Sequence, residues 1–280
     1  PKLSATGKVS CASCHNQANG FSDTRSVSEG VRGEIGSRNA PAIINTAYQQ
    51  FWLWDGRALS LEQQVATALQ SPSEMDADTE TVQEYLRTSA VYPSLFGRAF
   101  GLLTAPSIEH AVEAIATFCR TLVSGTSRYD RFIMGDSKAL TEEEREGMRL
   151  FFSEQTQCAS CHGGFNFSDN DFHSVALRTH YYDRGRALVT RRERDIGKFK
   201  TPTLRNVERS APYMNEGNLN TLEEVIEHYA MGGQPFVYKD TARIKPLNLT
   251  DVQKRALIAF LRSLTDEEFL SNPAFRNPYR

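Results

Sequence analysis

The stretch Cys11-Ala12-Ser13-Cys14-His15 recurs letter for letter in the second half of the chain as Cys158-Ala159-Ser160-Cys161-His162. Each copy is a C-x-x-C-H motif, the signature for covalent attachment of a c-type haem. Two thiols on one short turn can bond the same porphyrin, and the imidazole that follows can ligate its iron. Paired C-x-x-C zinc sites usually lie about 15–20 residues apart, which does not fit this spacing. The motifs therefore predict two covalent c-type haems, bound by Cys11, Cys14, His15, Cys158, Cys161 and His162.

Length and composition set further limits. The chain has 280 residues, enough for two modest domains, and a formal net charge of −2. That charge gives no reason to expect a nucleic-acid partner, and no segment approaches the length of apolar sequence that spans a membrane. The sequence also shows no signal peptide, which we interpret as processing. Because c-type haems are attached outside the bacterial cytoplasm, we expect a periplasmic protein.

The surroundings of the two motifs also repeat. In each half an apolar lead-in precedes the motif, and a turn followed by Phe-Ser-Asp comes after it, at Phe21-Ser22-Asp23 and Phe167-Ser168-Asp169. This order predicts two copies of one haem-binding unit. We place the boundary near Asp136, giving an N-terminal domain over 1–135 and a C-terminal domain over 136–280.

Apolar periodicity and capping residues predict mainly helices. Ser60 and Gln63 are typical of a capping box, Cys119 falls on an apolar helix face, and the polar stretch 163–197 is expected to be mainly loop. The predicted helices cover 59–69, 79–86, 108–123, 140–152, 221–230 and 250–264. Strand patterns are sparse, so the expected fold is mostly α, with two cytochrome c-like haem domains and long loops.

The histidines outside the motifs bear on which iron is open. An electron-transfer haem takes two protein ligands, whereas a reactive haem keeps one face free. No histidine lies between His15 and His110, the interval that would supply the far side of the first haem. The first haem is therefore the better candidate for a reactive site.

Shorter motifs carry a resemblance that spans nearly the whole chain. They are Arg38-Asn39-Ala40-Pro41, Trp54-Asp55-Gly56-Arg57-Ala58, Leu61-Glu62-Gln63-Gln64, Pro72-Ser73-Glu74-Met75, Thr201-Pro202-Thr203-Leu204-Arg205-Asn206, Ala211-Pro212-Tyr213-Met214 and Thr221-Leu222-Glu223-Glu224. In this order the chain resembles the bacterial di-haem cytochrome c peroxidase family, and within it the MauG-like subclass.

The resemblance implies roles for three residues around a peroxide-reacting N-terminal haem. Glu74 matches the distal glutamate that moves a proton between the two peroxide oxygens. Gln64 matches a glutamine of the same pocket. Trp54 matches the tryptophan between the haems, with Trp52 as the alternative.

Departures from the peroxidase pattern separate its subclasses. Many of these peroxidases place a histidine where this chain has Val31, so the first iron is expected to be five-coordinate or water-ligated. They place methionine on the second haem where this chain, like MauG, has Tyr229; Met231 and His228 are competing ligands. A proline expected in the distal pocket is Ala68, which predicts a roomier site.

The resemblance also implies one calcium ion between the domains. Its ligands would be the side-chain oxygen of Asn39 and the backbone carbonyls of Ser210 and Pro212, a hard-oxygen set that suits calcium.

Three functions follow from this interpretation. The first is a MauG-type oxidase, in which hydrogen peroxide generates a bis-ferryl state shared with a His/Tyr-ligated second haem, and a partner protein is oxidised by long-range electron transfer. The second is a cytochrome c peroxidase that reduces hydrogen peroxide to water with electrons from small periplasmic donors. The third is a non-enzymatic electron carrier with two six-coordinate haems.

Overall fold

Helices form most of the regular structure in the computed structural model, which describes residues 1–277. Six helices precede the second motif: α1 (Leu61–Gln70), α2 (Thr79–Thr88), α3 (Tyr92–Phe100), α4 (Ile108–Thr121), α5 (Arg128–Ile133) and α6 (Glu142–Phe151). Four follow it: α7 (Ala187–Thr190), α8 (Leu222–Met231), α9 (Asp251–Ser263) and α10 (Glu267–Ser271). Two short strands, β1 (Phe172–His173) and β2 (Phe199–Lys200), pair antiparallel with Phe172 opposite Lys200. A mostly α fold is confirmed over these residues.

The predicted helices differ from the observed ones mainly at their ends. α3, α5, α7 and α10 were not predicted. α3 carries a proline in its first turn, and the other three have six residues or fewer. Only one of the two hydrogen bonds of the predicted capping box at Ser60 forms. Ser60 Oγ accepts from the amide of Gln63, but the Gln63 side chain accepts from the amide of Leu59 instead of Ser60.

Each half packs a pair of its own helices together. In the second half α6 packs closely on α9, so closely that a Cβ on Gly147 would lie 1.8 Å from the carbonyl oxygen of Ala256. In the first half Leu61 of α1 packs with Ala116 and Cys119 of α4. Cys119 is buried, as its place on an apolar helix face predicts, and burial raises the pKa of its thiol to about 11.

The repeat is visible in the backbone. Asn45 and Asn206 are both fully buried and both left-handed, with φ of 54° and 57°. The amide of Asn45 donates to the carbonyl of Leu122 after α4, and the amide of Asn206 donates to that of Leu264 after α9, at 2.8 and 3.1 Å. Each asparagine thus ties the segment after the haem motif to the end of a long helix.

Helix α10 packs against the first half of the chain. Phe269 of α10 packs on Phe21 and Leu122, which follow the first motif and α4. Over the described residues, no helix has the length and apolar character needed to cross a membrane.

Candidate haem sites and distal pocket

Both C-x-x-C-H motifs face the same internal space. A cavity of about 1000 Å³ is lined by Cys11, Cys14 and His15 from the first half and by Cys158, Cys161 and His162 from the second. Ligand pockets in proteins usually occupy about 300–1,000 Å³, so this cavity lies at the upper end of that range.

The two motifs share one local geometry. Each begins with a 3₁₀ turn, Cys11–Ser13 and Cys158–Ser160. In both, the histidine amide donates a 2.9 Å hydrogen bond to the carbonyl of the first cysteine. The turn therefore brings the two thiols and the imidazole to the same side of the cavity wall.

Hydrogen bonding prepares both imidazoles as iron ligands. Nδ1 of His15 lies 2.9 Å from the carbonyl oxygen of Phe21, and Nδ1 of His162 lies 2.9 Å from that of Phe167. A carbonyl only accepts, so Nδ1 carries the proton and Nε2 keeps its lone pair. Burial also lowers the pKa of both histidines. Neutral rings with a free Nε2 fit a haem iron.

The serine after each of these phenylalanines repeats the same contact. Ser22 Oγ donates to the carbonyl of Ala40, and Ser168 Oγ donates to that of Thr201, both at 2.7 Å. A proline follows each accepting residue. Asn39 and Lys200, which precede Ala40 and Thr201, therefore occupy equivalent positions in the two halves.

Trp54 is held from both of these positions. Its indole N–H donates to the carbonyl of Asn39 at 2.9 Å, and its own carbonyl accepts from the amide of Lys200 at 2.7 Å. Trp54 lines the cavity, as does Trp52. Nε1 of Trp52 is buried without a hydrogen-bond partner in the described part of the chain.

Glu74 and Gln64 line the first half of the cavity together with Ala68. Gln64 and Ala68 lie one turn apart on α1, so they share a face. Oε1 of Gln64 is buried and has no hydrogen-bond partner within residues 1–277, which suits a group that waits for a ligand. Burial raises the pKa of the Glu74 carboxyl, and Ser71 and Arg57 partly oppose that shift.

A glycine sets the position of the loop that carries Glu74. A Cβ on Gly30 would lie 2.1 Å from the carbonyl oxygen of Ser73 and 2.7 Å from that of Glu74. The next residue, Val31, is fully buried. The role of Gly30 was not predicted from the sequence. The only indication of it there is a glycine directly before the apolar residue Val31.

Three residues of α8 were candidate ligands, and they face different ways. Tyr229 lines the cavity, where burial and the cysteine sulfurs Cys161 and Cys158 raise the pKa of its phenol. Nε2 of His228 lies 3.0 Å from the carbonyl of Val175. Met231 is 56% exposed and lies outside the cavity lining.

The residues expected to bind calcium line the cavity. Asn39 belongs to the first half of the chain, and Ser210 and Pro212 belong to the second. Nδ2 of Asn39 donates to the carbonyls of Arg25 and Ser26, each at 3.2 Å. Its side-chain oxygen is then the atom that can face a cation.

Two charged residues, Arg38 and Lys200, have contacts or burial that were not predicted from the sequence. Arg38 donates to Asp55 and to Asp183 at 2.7 Å. Lys200 is buried in the cavity wall. Arg38 and Lys200 lie in or beside the quoted motifs, but nothing in their local sequence indicates burial.

Two haem-attachment motifs with ligand-ready histidines on one cavity define a c-type di-haem protein, and comparison with known proteins gives its class. Residues 1–138 match the family described as di-haem cytochrome c peroxidase. The methylamine utilization protein MauG of Methylorubrum extorquens is 37% identical over 272 residues, covering 95% of this chain and 75% of that protein. The cytochrome c551 peroxidase of Nitrosomonas europaea is 33% identical, covering 99% and 79%.

Solved structures agree with these relatives. A MauG-like protein associated with microbial copper homeostasis superposes with a TM-score of 0.95 at 34% identity, covering 100% of this chain and 90% of that one. The di-haem peroxidase BthA of Burkholderia thailandensis shares the fold, with a TM-score of 0.78 at 24% identity over 96% and 84% of the two chains. The chain belongs to the di-haem cytochrome c peroxidase family. It is a peroxide-dependent oxidoreductase with two c-type haems, and it is similar to MauG.

Proposed function

We propose that this chain is a periplasmic di-haem oxidase that reacts with hydrogen peroxide at its N-terminal haem and oxidises a partner protein by long-range electron transfer. When bound, the haems supply the redox chemistry. Cys11, Cys14 and His15 hold the first, and the corresponding triplet at Cys158, Cys161 and His162 holds the second. The two units are proposed as cytochrome c-like domains over 1–135 and 136–280.

Glu74 is the proposed acid/base of the first site. Cleavage of the O–O bond needs one oxygen deprotonated for binding and the other protonated for leaving. A carboxylate that lines the cavity can take the first proton and return it to the leaving oxygen. The raised pKa of Glu74 makes its carboxyl a better base than an ordinary glutamate, which supports this role. Gln64 is proposed to orient the peroxide, because its buried Oε1 has no partner among the described residues and can accept a hydrogen bond.

Trp54 is the proposed connection between the two haems. Its indole donates to Asn39 of the first half, and its backbone carbonyl accepts from Lys200 of the second. An indole fixed in this way can exclude water and carry electronic coupling between the two sites. Calcium, held by Asn39, Ser210 and Pro212, is proposed to tie the same two segments together.

The choice of an oxidase is supported by the position of Tyr229, which faces the cavity. The two competing ligands do not face it, because Met231 is exposed and His228 is bonded to Val175. A phenolate oxygen is a hard anionic donor, and it favours oxidised iron, unlike a thioether sulfur. A second haem with a phenolate ligand would therefore favour keeping the oxidising equivalents that peroxide supplies. The alternative is a cytochrome c peroxidase that draws electrons from small periplasmic donors, which would need a second haem that is easily reduced.

Peroxide titration of the ferric protein, followed optically and by EPR, tests the proposal. The oxidase should react without prior reduction and keep its oxidising equivalents for long periods when no partner is present. If peroxide reacts only after partial reduction, and a reduced small cytochrome c is then consumed steadily, the peroxidase is the correct function. If the ferric protein has no high-spin haem and does not react with peroxide, the chain is an electron carrier.

A further inference from the structure

Lys200 is a buried cation in the wall of the haem cavity. It is 8% exposed, and its ammonium donates a 3.3 Å hydrogen bond to the carbonyl of the next residue, Thr201. No carboxylate forms an ion pair with it among the residues that the structure describes. By contrast, Arg38 in the same wall pairs with two carboxylates, those of Asp55 and Asp183.

Asp169 is the carboxylate whose charge acts on Lys200. Its side chain is bonded to His173, with a nitrogen–oxygen distance of 2.8 Å, and His173 lies equally close to Asp240. Asp169 therefore acts on the ammonium of Lys200 only at a distance, and among the described residues no carboxylate contacts that ammonium.

A buried ammonium that no carboxylate contacts is costly, because burial removes the hydration of its charge. Burial lowers the pKa of Lys200 to about 8, although the charge of Asp169 opposes that shift. An anion bound in the cavity that Lys200 lines would offset this cost. A haem brings carboxylates of its own, the propionates.

We propose that Lys200 binds a propionate carboxylate of the haem attached at Cys158 and Cys161. The inference rests on the proposed binding of two haems in this cavity. Lys200 belongs to the second half by its place in β2, where it pairs with Phe172 of β1. Its backbone is fixed by the hydrogen bond to Trp54. The equivalent residue of the first half, Asn39, is neutral, so the two haems meet different charges at the same place.

The test compares Lys200→Met with Lys200→Arg and with Lys198→Met. Lys198 is a matched control, since it is two residues away, pairs with Asp195 and lies outside the cavity lining. Haem content and the midpoint potential of each haem are measured by spectroelectrochemistry at about pH 8, well above the ordinary pKa of a carboxylate.

Lys200→Met should lower the midpoint potential of the second haem alone, because a nearby cation disfavours ferric iron. The expected change is at least about tenfold in the ratio of reduced to oxidised haem at a fixed potential, or about 59 mV for one electron. Lys200→Arg and Lys198→Met should leave both potentials close to the parent values. Equal potentials in Lys200→Met and Lys198→Met, or a shift confined to the first haem, would overturn the proposal.

Haem incorporation provides a second measurement. If Lys200→Met attaches fewer haems while Lys200→Arg attaches both, the site requires the positive charge and the proposal stands. Equal losses in both variants would make Lys200 a packing residue and would refute it. The failure of the proposed function and the failure of the proposed role of Lys200 can be distinguished. If the parent protein does not carry two haems, the proposed function is wrong. If Lys200→Met leaves the potential of the second haem unaltered, only the role of Lys200 is wrong.

Discussion

The amide of Val31 donates a 2.9 Å hydrogen bond to the carbonyl oxygen of Glu74. Val31 therefore supports the loop that carries Glu74 through its backbone. The adjacent Gly30 packs directly on that loop. Two sequence-distant segments are thereby joined, and Glu74 is placed by backbone contacts.

Replacing Glu74 with glutamine should slow the reaction of the ferric protein with peroxide by about 10²–10⁴-fold, the usual contribution of a general acid/base. Both haems should remain attached. Stopped-flow mixing with peroxide measures the effect, and Glu84→Gln, on the exposed face of α2, is the control. An unchanged rate would remove Glu74 from the mechanism.

The pH profile of the same reaction should report the environment of Glu74. Its pKa is raised by burial, and the carboxylate is the form that accepts the proton from peroxide. The rate should therefore fall on the acid side at a pH above about 4.3, the ordinary pKa of a glutamate. Glu74→Gln should lose this acid limb, and a limb that persists would belong to another group.

Gly30→Ala should disturb the Glu74 loop, since its Cβ would collide with the carbonyl oxygen of Ser73. Such overpacking typically costs about 1–3 kcal/mol of stability, and the peroxide reaction should slow as Glu74 moves. Urea unfolding and stopped-flow kinetics measure the two effects. Gly36→Ala is the matched control, because there the new Cβ stays 3.5 Å from the nearest atom. Equal behaviour of the two variants would show that the close approach at Gly30 does not position Glu74.

Tyr229→Phe should remove an oxygen ligand from the second haem, so that the EPR spectrum of the ferric protein gains a high-spin signal. The long-lived oxidised state after peroxide should disappear. Tyr213→Phe serves as control, because Tyr213 lines the same cavity but donates its hydroxyl proton to the carbonyl of Val207 at 3.1 Å. If Tyr229→Phe keeps the parent spectrum, tyrosine ligation is wrong.

Asp130→Asn should lower the free energy of unfolding by about 3–5 kcal/mol, as expected when a buried ion pair loses one partner. Both oxygens of Asp130 accept from the buried guanidinium of Arg205, at 2.8 and 2.9 Å. Although burial opposes it, the contact with Arg205 holds the pKa of Asp130 below its usual value. The stabilisation is therefore complete above about pH 4, the ordinary pKa of an aspartate, and it declines as the pH falls further.

Urea unfolding across this pH range should show the difference between parent and Asp130→Asn shrinking in acid. Glu267→Gln breaks an exposed pair with Arg209 and should change stability by no more than about 1 kcal/mol. A constant difference at all pH values would mean that the charge of Asp130 does not matter.

The sequence alone determined the features that depend on a few neighbouring residues. The C-x-x-C-H turns, the helix cap at Ser60 and the mostly α content all follow from local hydrogen bonding and apolar periodicity, so they could be predicted. Helix ends were predicted less accurately, and the short helices α3, α5, α7 and α10 have too little periodic sequence to be recognised.

Only the tertiary structure decided which side chains meet in the cavity. His228, Tyr229 and Met231 all lie on α8, and the tertiary structure separates them. His228 is bonded to the carbonyl of Val175, Met231 is exposed and Tyr229 lines the cavity. The contact of Gly30 with the Glu74 loop likewise depends on segments far apart in the chain, as does the burial of Lys200 with no contacting carboxylate among the described residues. Local patterns specify elements because short-range hydrogen bonds and side-chain spacing suffice to form them. Burial and charge pairing arise only when the two halves pack together, so no local pattern contains them.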